Sequence, residues 1–198
     1  MTALRSILRS AAVATVVVLS LASAACSGRR PVVVESVGPR LVSARLGSVR
    51  CALTCDGDWL GGVPPESAVA EDFELAARRG IGVVLDLRTA DVRGALGLEE
   101  SASVAGLEFM PVDVDAADAP VSERAIERVL GYLATPGRPR AILLGDDGRV
   151  PSMLYAIHLS VDADVELDEA IRSARATGLQ ADDEAFVRSQ VARLRGGA

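Results

Sequence analysis

The feature that most restricts the fold is the succession of "RAILL", Arg140 to Leu144, and "SMLYAIHLSV", Ser152 to Val161. A strand-length run that is apolar at successive positions has no face to give to water, so both its faces need cover. A helix that is apolar all round must likewise be enclosed. Both demands are met when helices lie on either side of a sheet. "IGVVLDLR", Ile81 to Arg88, is a second buried-strand run, and "LEFMPVDVD", Leu107 to Asp115, is a further strand. Shorter strands are expected in "RLGSVRCAL" and "DWLGG", either side of a turn at Cys51 to Cys55.

Helical patterns separate these runs. "PPESAVAEDFELAARRG" opens on paired prolines and offers Ser67 as an N-cap. It repeats Val69, Phe73, Ala76 and Ala77 at helical spacing and stops at Gly80. A polar stretch holds a helix near Leu98 to Ala105. "VSERAIERVLGYLATPG" has a Ser122 cap and one face of Ile126, Val129, Leu130 and Leu133. "ELDEAIRSARATGL" and "DDEAFVRSQVARLR" supply the last two helices. Strands alternating with helices predict an α/β, three-layer domain with a mainly parallel central sheet flanked by helices.

The N-terminus reads differently. Arg5 and Arg9 precede an apolar core from Ala11 to Leu21, and the small residues Ala22 to Ala25 lead into Cys26. These are the three parts of a secretory signal, and the core is too short to span a bilayer. Small residues ending in cysteine resemble a bacterial lipobox, with Ser23 where that motif usually carries leucine. The expectation is a signal peptide over residues 1–25, with Cys26 lipidated to anchor the chain in the cell membrane or outer membrane, outside the cytoplasm. Ordinary cleavage at Ala22-Ser-Ala24 is the alternative. Residues 26–40, mixing Gly, Pro and Arg, read as a tether. The domain is expected over residues 41–180, with a C-terminal helix or tail over 181–198.

In an oxidising compartment Cys51 and Cys55 read as a small-loop disulfide, or alternatively as two unpaired small core residues. A straight strand would hold them roughly 13 Å apart, so a disulfide needs a turn between them. Two thiolates without further ligands do not make a metal site. The net charge of −6 argues against nucleic acid as a partner, because neutralising phosphates takes clustered basic residues.

"WLGGVPPESAVAEDFELAARRGIGVVLDLR", Trp59 to Arg88, resembles the N-terminal half of the dual-specificity, cysteine-dependent phosphatases. The resemblance runs over roughly Leu41 to Gln180, carried by the order and spacing of several short motifs. In that family a loop H-C-x-x-G-x-x-R-S/T joins a buried strand to the central helix. Its cysteine attacks phosphorus as a thiolate, and its pKa is lowered by the helix N-terminus. Its arginine forks onto the phosphoryl oxygens, and an aspartate on another loop protonates the leaving group.

Laid on that motif, Leu144 takes the histidine position, Gly145 the cysteine, Gly148 the glycine, Pro151 the arginine and Ser152 the serine. A one-residue slip puts Asp146 at the cysteine position and Ser152 at the arginine position, which rescues nothing. Val150 lies between, Arg149 is at the wrong offset for the clamp, and Cys51 and Cys55 precede the first helix. Asp146 and Asp147 would satisfy loop amides themselves and repel phosphate. Asp113, Asp115 and Asp118 fall in the acid-loop region; Asp113 and Asp115 are candidate relic acids or simply solvated loop residues.

The expectation is an exported, lipid-anchored pseudophosphatase without cofactor or metal. It would act as a binding or scaffolding module for an envelope protein that the sequence does not identify. The alternative is a phosphate-ester hydrolase using Asp146 as nucleophile, or several acids around a metal. His158 is expected in the core with one nitrogen satisfied, Asp86 and Arg88 as braces of the loop, and Trp59 against a strand edge. Tyr132 and Tyr155 are expected as core aromatics with hydroxyls near the surface.

Overall fold

The computed structural model describes residues 35–36, 41–54, 57–93 and 96–196, with the backbone alone at 35–36, 41–44 and 50–53. The expected signal peptide, Cys26, most of the expected tether, Cys55 and the Cys51 side chain lie outside the described residues.

The strands are β1 (Glu35–Ser36), β2 (Leu41–Leu46), β3 (Val49–Thr54), β4 (Trp59–Gly62), β5 (Ile81–Asp86), β6 (Glu108–Pro111) and β7 (Arg140–Gly145). The helices are α1 (Val69–Arg78), α2 (Ala90–Arg93), α3 (Leu98–Val104), α4 (Glu123–Ala134), α5 (Arg149–Val161), α6 (Leu167–Arg175) and α7 (Glu184–Gly196). The sheet order is β1-β2-β3-β4-β7-β5-β6, parallel from β4 to β6 and antiparallel from β1 to β4. The mainly parallel sheet with flanking helices is therefore present, extended by an antiparallel wing.

That wing departs from the expected layout. "RLGSVRCAL" is not one strand but the end of β2, a turn at Gly47–Ser48 and most of β3. Gly47 has φ +60°, and a Cβ there would lie 1.6 Å from Oδ1 of Asp72. The Asp72 carboxylate accepts from the Ser48 N–H at 3.0 Å and from the Ser48 hydroxyl, fixing the turn to α1. β3 keeps residues 51 to 54 extended, and the chain turns only after Thr54, where Gly57 N–H donates to its carbonyl. Part of the expected tether, β1, pairs with β2.

Two apolar cores lie on opposite sides of the sheet. Trp59, Val84, Ile142 and Leu144 face α1 and α3, meeting Phe73, Leu98 and Ala102. Leu60, Val83, Leu85 and Leu143 face the other way, toward α4, α5, α6 and α7. Alternation along each strand sends successive apolar residues to opposite layers, which is why these runs are continuous. α5 lies between the sheet and α4, α6 and α7, with Pro151 to Ser160 buried throughout. Each large side chain so buried contributes roughly 1.5–3 kcal/mol. Val187 and Val191 place α7 in the same core. Trp59 is interior, because β4 is flanked by β3 and β7 and is not an edge. Tyr155 is 1% exposed, so its ring lies deeper than expected.

Helix ends follow local chemistry in most places. Ser122 accepts from the Ala125 N–H at 3.3 Å and caps α4. Gly80, φ +82°, stops α1. Ser67 does not cap α1: residues Glu66–Ala68 form a 3-10 turn and Ala68 is the N-cap. The fixed φ of Pro65 just before Glu66 suits that turn and delays the α-helix to Val69.

Candidate functional site

The loop between β7 and α5 lies at the carboxyl end of the parallel strands, where α/β sheets place their sites. β7 is hydrogen-bonded on both sides, by β4 and β5, so its last residue, Gly145, has a fixed position. A Cβ on Gly145 would lie 2.8 Å from Cδ and 3.4 Å from Cγ of Pro151. Pro151 is in the first turn of α5, where its missing N–H removes no helical hydrogen bond. The buried pyrrolidine ring and the bare Gly145 Cα thus occupy one another's space.

The rest of the loop is tied inward. Asp147 bridges to Gly62 at the end of β4. Its Oδ1 accepts from the Arg149 N–H at 2.9 Å, so a carboxylate of the loop takes one helix N-terminal amide. Asp146 is exposed beside it. Gly148, φ +85°, turns the chain into α5, and a Cβ there would meet the Thr177 carbonyl oxygen at 3.4 Å. The Ser152 hydroxyl donates to the Gly148 carbonyl at 2.8 Å and shares a 2.8 Å hydrogen bond with the Thr177 hydroxyl. The turn after α6 therefore packs on the loop from the far side.

Arg149 does not face an open bowl. Its guanidinium forks onto buried Asp183, Nε to Oδ2 at 2.7 Å and Nη2 to Oδ1 at 2.5 Å. That hydrogen bond, ahead of the nearby charges, raises its pKa further and keeps it ionised. No local motif pairs Arg149 with Asp183; the one sequence signal is the aspartate pair Asp182-Asp183 just before the last helix.

The other singled-out residues serve elsewhere. Asp86 and Arg88 pair bidentately, both at 2.8 Å, at 0% and 2% exposure. Arg88 also donates to the Val92 and Arg93 carbonyls, and Arg93 returns bonds to the Arg88 and Val112 carbonyls. The pair therefore braces α2 and the end of β6, not the β7–α5 loop as expected. The reason is direction: the chain turns into α2 right after Arg88, so those carbonyls are nearest.

Asp113 accepts from the Asp115 N–H at 3.3 Å, and Asp115 from the Ala90 N–H at 3.4 Å. Both are exposed, as is Asp118, and no hydrogen bond joins them to residues 145–152 among the described residues. His158 is buried, with Nδ1 at 2.9 Å from Asp162 Oδ2. The Tyr132 hydroxyl donates to the Pro139 carbonyl at 2.8 Å. Among the described residues no group of three or more His, Cys, Asp or Glu is placed to hold a metal ion, and no helix is long and apolar enough to cross a membrane.

The fold is that of the cysteine-dependent tyrosine and dual-specificity phosphatases. No protein-family profile matches the sequence, and no curated protein matches it. Solved structures do. Kinase-associated phosphatase (KAP), with its catalytic cysteine substituted by serine, is 14% identical with a TM-score of 0.57, over 70% of this chain and 89% of that one. A DUF442 protein from Shewanella putrefaciens CN-32 is 13% identical at 0.54, over 77% and 91%. PTPMT1 is 13% identical at 0.53, over 70% and 92%. At these identities the likeness is one of fold.

Proposed function

We propose that this chain is an exported, lipid-anchored pseudophosphatase: a phosphatase fold without phosphoryl-transfer chemistry that serves as a binding or scaffolding module at the cell envelope. The observation that carries this reading is the contact between Gly145 and Pro151. Position 145 has no room for a nucleophilic side chain, and position 151 offers neither guanidinium nor amide to an oxyanion. Asp147 on the Arg149 amide and Asp146 beside it add negative charge where a phosphate would approach. A ligand of this face is thus neutral or basic. The signal-like N-terminus and Cys26 support the envelope location.

The test is turnover of aryl phosphates by the purified full chain, with and without divalent cations. No hydrolysis above background is expected. Hydrolysis that persists after Cys51→Ala and Cys55→Ala but disappears in Asp146→Asn would replace this reading with an aspartate- or metal-based hydrolase. In cells, Cys26→Ala should move the protein out of the membrane fraction.

A further inference from the structure

Two arginines share one buried carboxylate beside β6. Arg88 takes both oxygens of Asp86, each at 2.8 Å. Arg93 Nε lies 3.8 Å from the same Oδ2, beyond hydrogen-bond reach, and this buried nitrogen has no hydrogen-bond partner among the described residues. Its Nη2 is held by the Arg88 and Val112 carbonyls, which fixes the guanidinium at the carboxyl end of β6. One carboxylate against two guanidiniums leaves a surplus positive charge, and that charge is on Arg93.

The Arg93 side chain, 20% exposed, lines a cavity of about 670 Å³ between α3 and β6. That volume is in the range of sites that enclose a small ligand. Leu98, Phe109 and Pro111 give it apolar walls, and Glu99, Glu100 and Ser103 line it from α3. Both glutamates are exposed and in no ion pair among the described residues. β6 is the last strand of the sheet. The Val112 N–H donates to the Asp86 carbonyl at 2.9 Å, so alternation turns the N–H and C=O of Phe109 away from β5, where no strand follows. Position 111 faces the same way, but proline has no N–H to give there.

We propose that this cavity binds the carboxyl-terminal end of an extended peptide that carries a basic residue. The terminal carboxylate meets the surplus charge of Arg93, and the peptide backbone pairs with Phe109 along the sheet edge. Its last side chain rests on Leu98 and Pro111, and its basic residue meets Glu99 and Glu100. A chain running parallel to β6 brings its carboxyl end to Arg93, and Pro111 stops the ladder at that point. A fatty acid satisfies only Arg93: the two glutamates repel it and it has no amide for Phe109. No residue of the β7–α5 loop lines the cavity, so the proposal does not depend on the loss of phosphoryl chemistry or on the N-terminal anchor.

The test is calorimetric titration of the full chain with acetyl-Lys-Ala-Leu bearing a free carboxylate. Its carboxyl-terminal amide should bind about tenfold more weakly, the value of a hydrogen bond to a charged group. Acetyl-Glu-Ala-Leu should bind up to about fivefold more weakly, as expected for exposed charges. Ser103→Trp, a change at an exposed position of the wall, should block binding while leaving the thermal unfolding curve in place. Arg93→Gln should bind the acid and the amide equally; if that variant does not fold, the amide comparison on the parent and Ser103→Trp decide. Absence of binding, equal affinity of the parent for acid and amide, binding unchanged in Ser103→Trp, or decanoate binding more tightly than the peptide would each overturn the proposal. Aryl phosphate turnover and membrane release of Cys26→Ala test the other reading separately.

Discussion

A side chain at position 145 should destabilise the protein for as long as Pro151 is present. A Cβ there would sit 2.8 Å from Pro151 Cδ and 3.8 Å from Val150 Cβ. Carbon pairs prefer about 3.5–4.0 Å, so one partner must retreat by roughly 0.7 Å. Neither retreats freely: Gly145 is paired with Gly62 of β4, and Pro151 opens the buried face of α5. Overpacking of this kind costs about 1–3 kcal/mol. In a chain of this size each kcal/mol lowers Tm by about 2–4 °C, so Gly145→Ala should lose roughly 2–12 °C and Gly145→Cys should fall toward the upper end.

The sharper measurement is a double-mutant cycle. Pro151→Ala removes Cδ and Cγ, so Gly145→Ala/Pro151→Ala should be more stable than the two single effects added together. The expected coupling is about 1–2 kcal/mol, within the range for residues in contact. Urea unfolding of the four proteins, followed by far-ultraviolet circular dichroism, gives the coupling directly. Additive effects, or a Gly145→Ala variant as stable as the parent, would refute the claim that the ring and the bare Cα fill one space.

Two other perturbations probe the frame around the loop. Arg88→Leu strips the bidentate partner from Asp86, which is 0% exposed, and should cost about 3–5 kcal/mol in urea unfolding; Asp86→Leu/Arg88→Leu should recover a large part of that loss. Burial, partly offset by the positive charge of Arg138, holds the Tyr132 phenol above its ordinary pKa of about 10. Because the folded pKa exceeds the unfolded one, this contribution is complete below about pH 10 and is lost as pH rises through the folded value. Urea midpoints measured across that alkaline range should therefore fall more steeply in the parent than in Tyr132→Phe.

The parallel core of the fold was legible because a single physical demand wrote it: strands covered on both faces are apolar at successive positions, and Ile81 to Leu85 and Ala141 to Gly145 meet that demand. α4 was legible from Ser122 and its apolar face, both local features. The antiparallel wing was less so. Gly47–Ser48 makes a two-residue turn whose firmness comes from Asp72, 24 residues away, and no local pattern announces that bond. Ser67 misled for a related reason: a good capping side chain was pre-empted by the geometry that Pro65 sets. Arg149 and Asp183 lie 34 residues apart, so their fork belongs to the packing of the 3-10 turn Ala181–Asp183 against the loop and not to any motif.

In one dimension, glycine at 145 and proline at 151 look like two separate departures from a phosphatase motif. In the fold they are neighbours, with Pro151 Cδ at the point where a side chain on 145 would begin. A change at one position therefore alters the cost of a change at the other. A cysteine introduced alone at 145 meets the ring. An arginine introduced alone at 151 removes the ring and leaves space beside a residue with no side chain to fill it. Either single step loses packing before any chemistry could be gained, so the pair should persist together. Nearby, the Asp147 carboxylate takes the Arg149 amide and the Arg149 guanidinium forks onto Asp183, so these two groups are engaged within the protein as well.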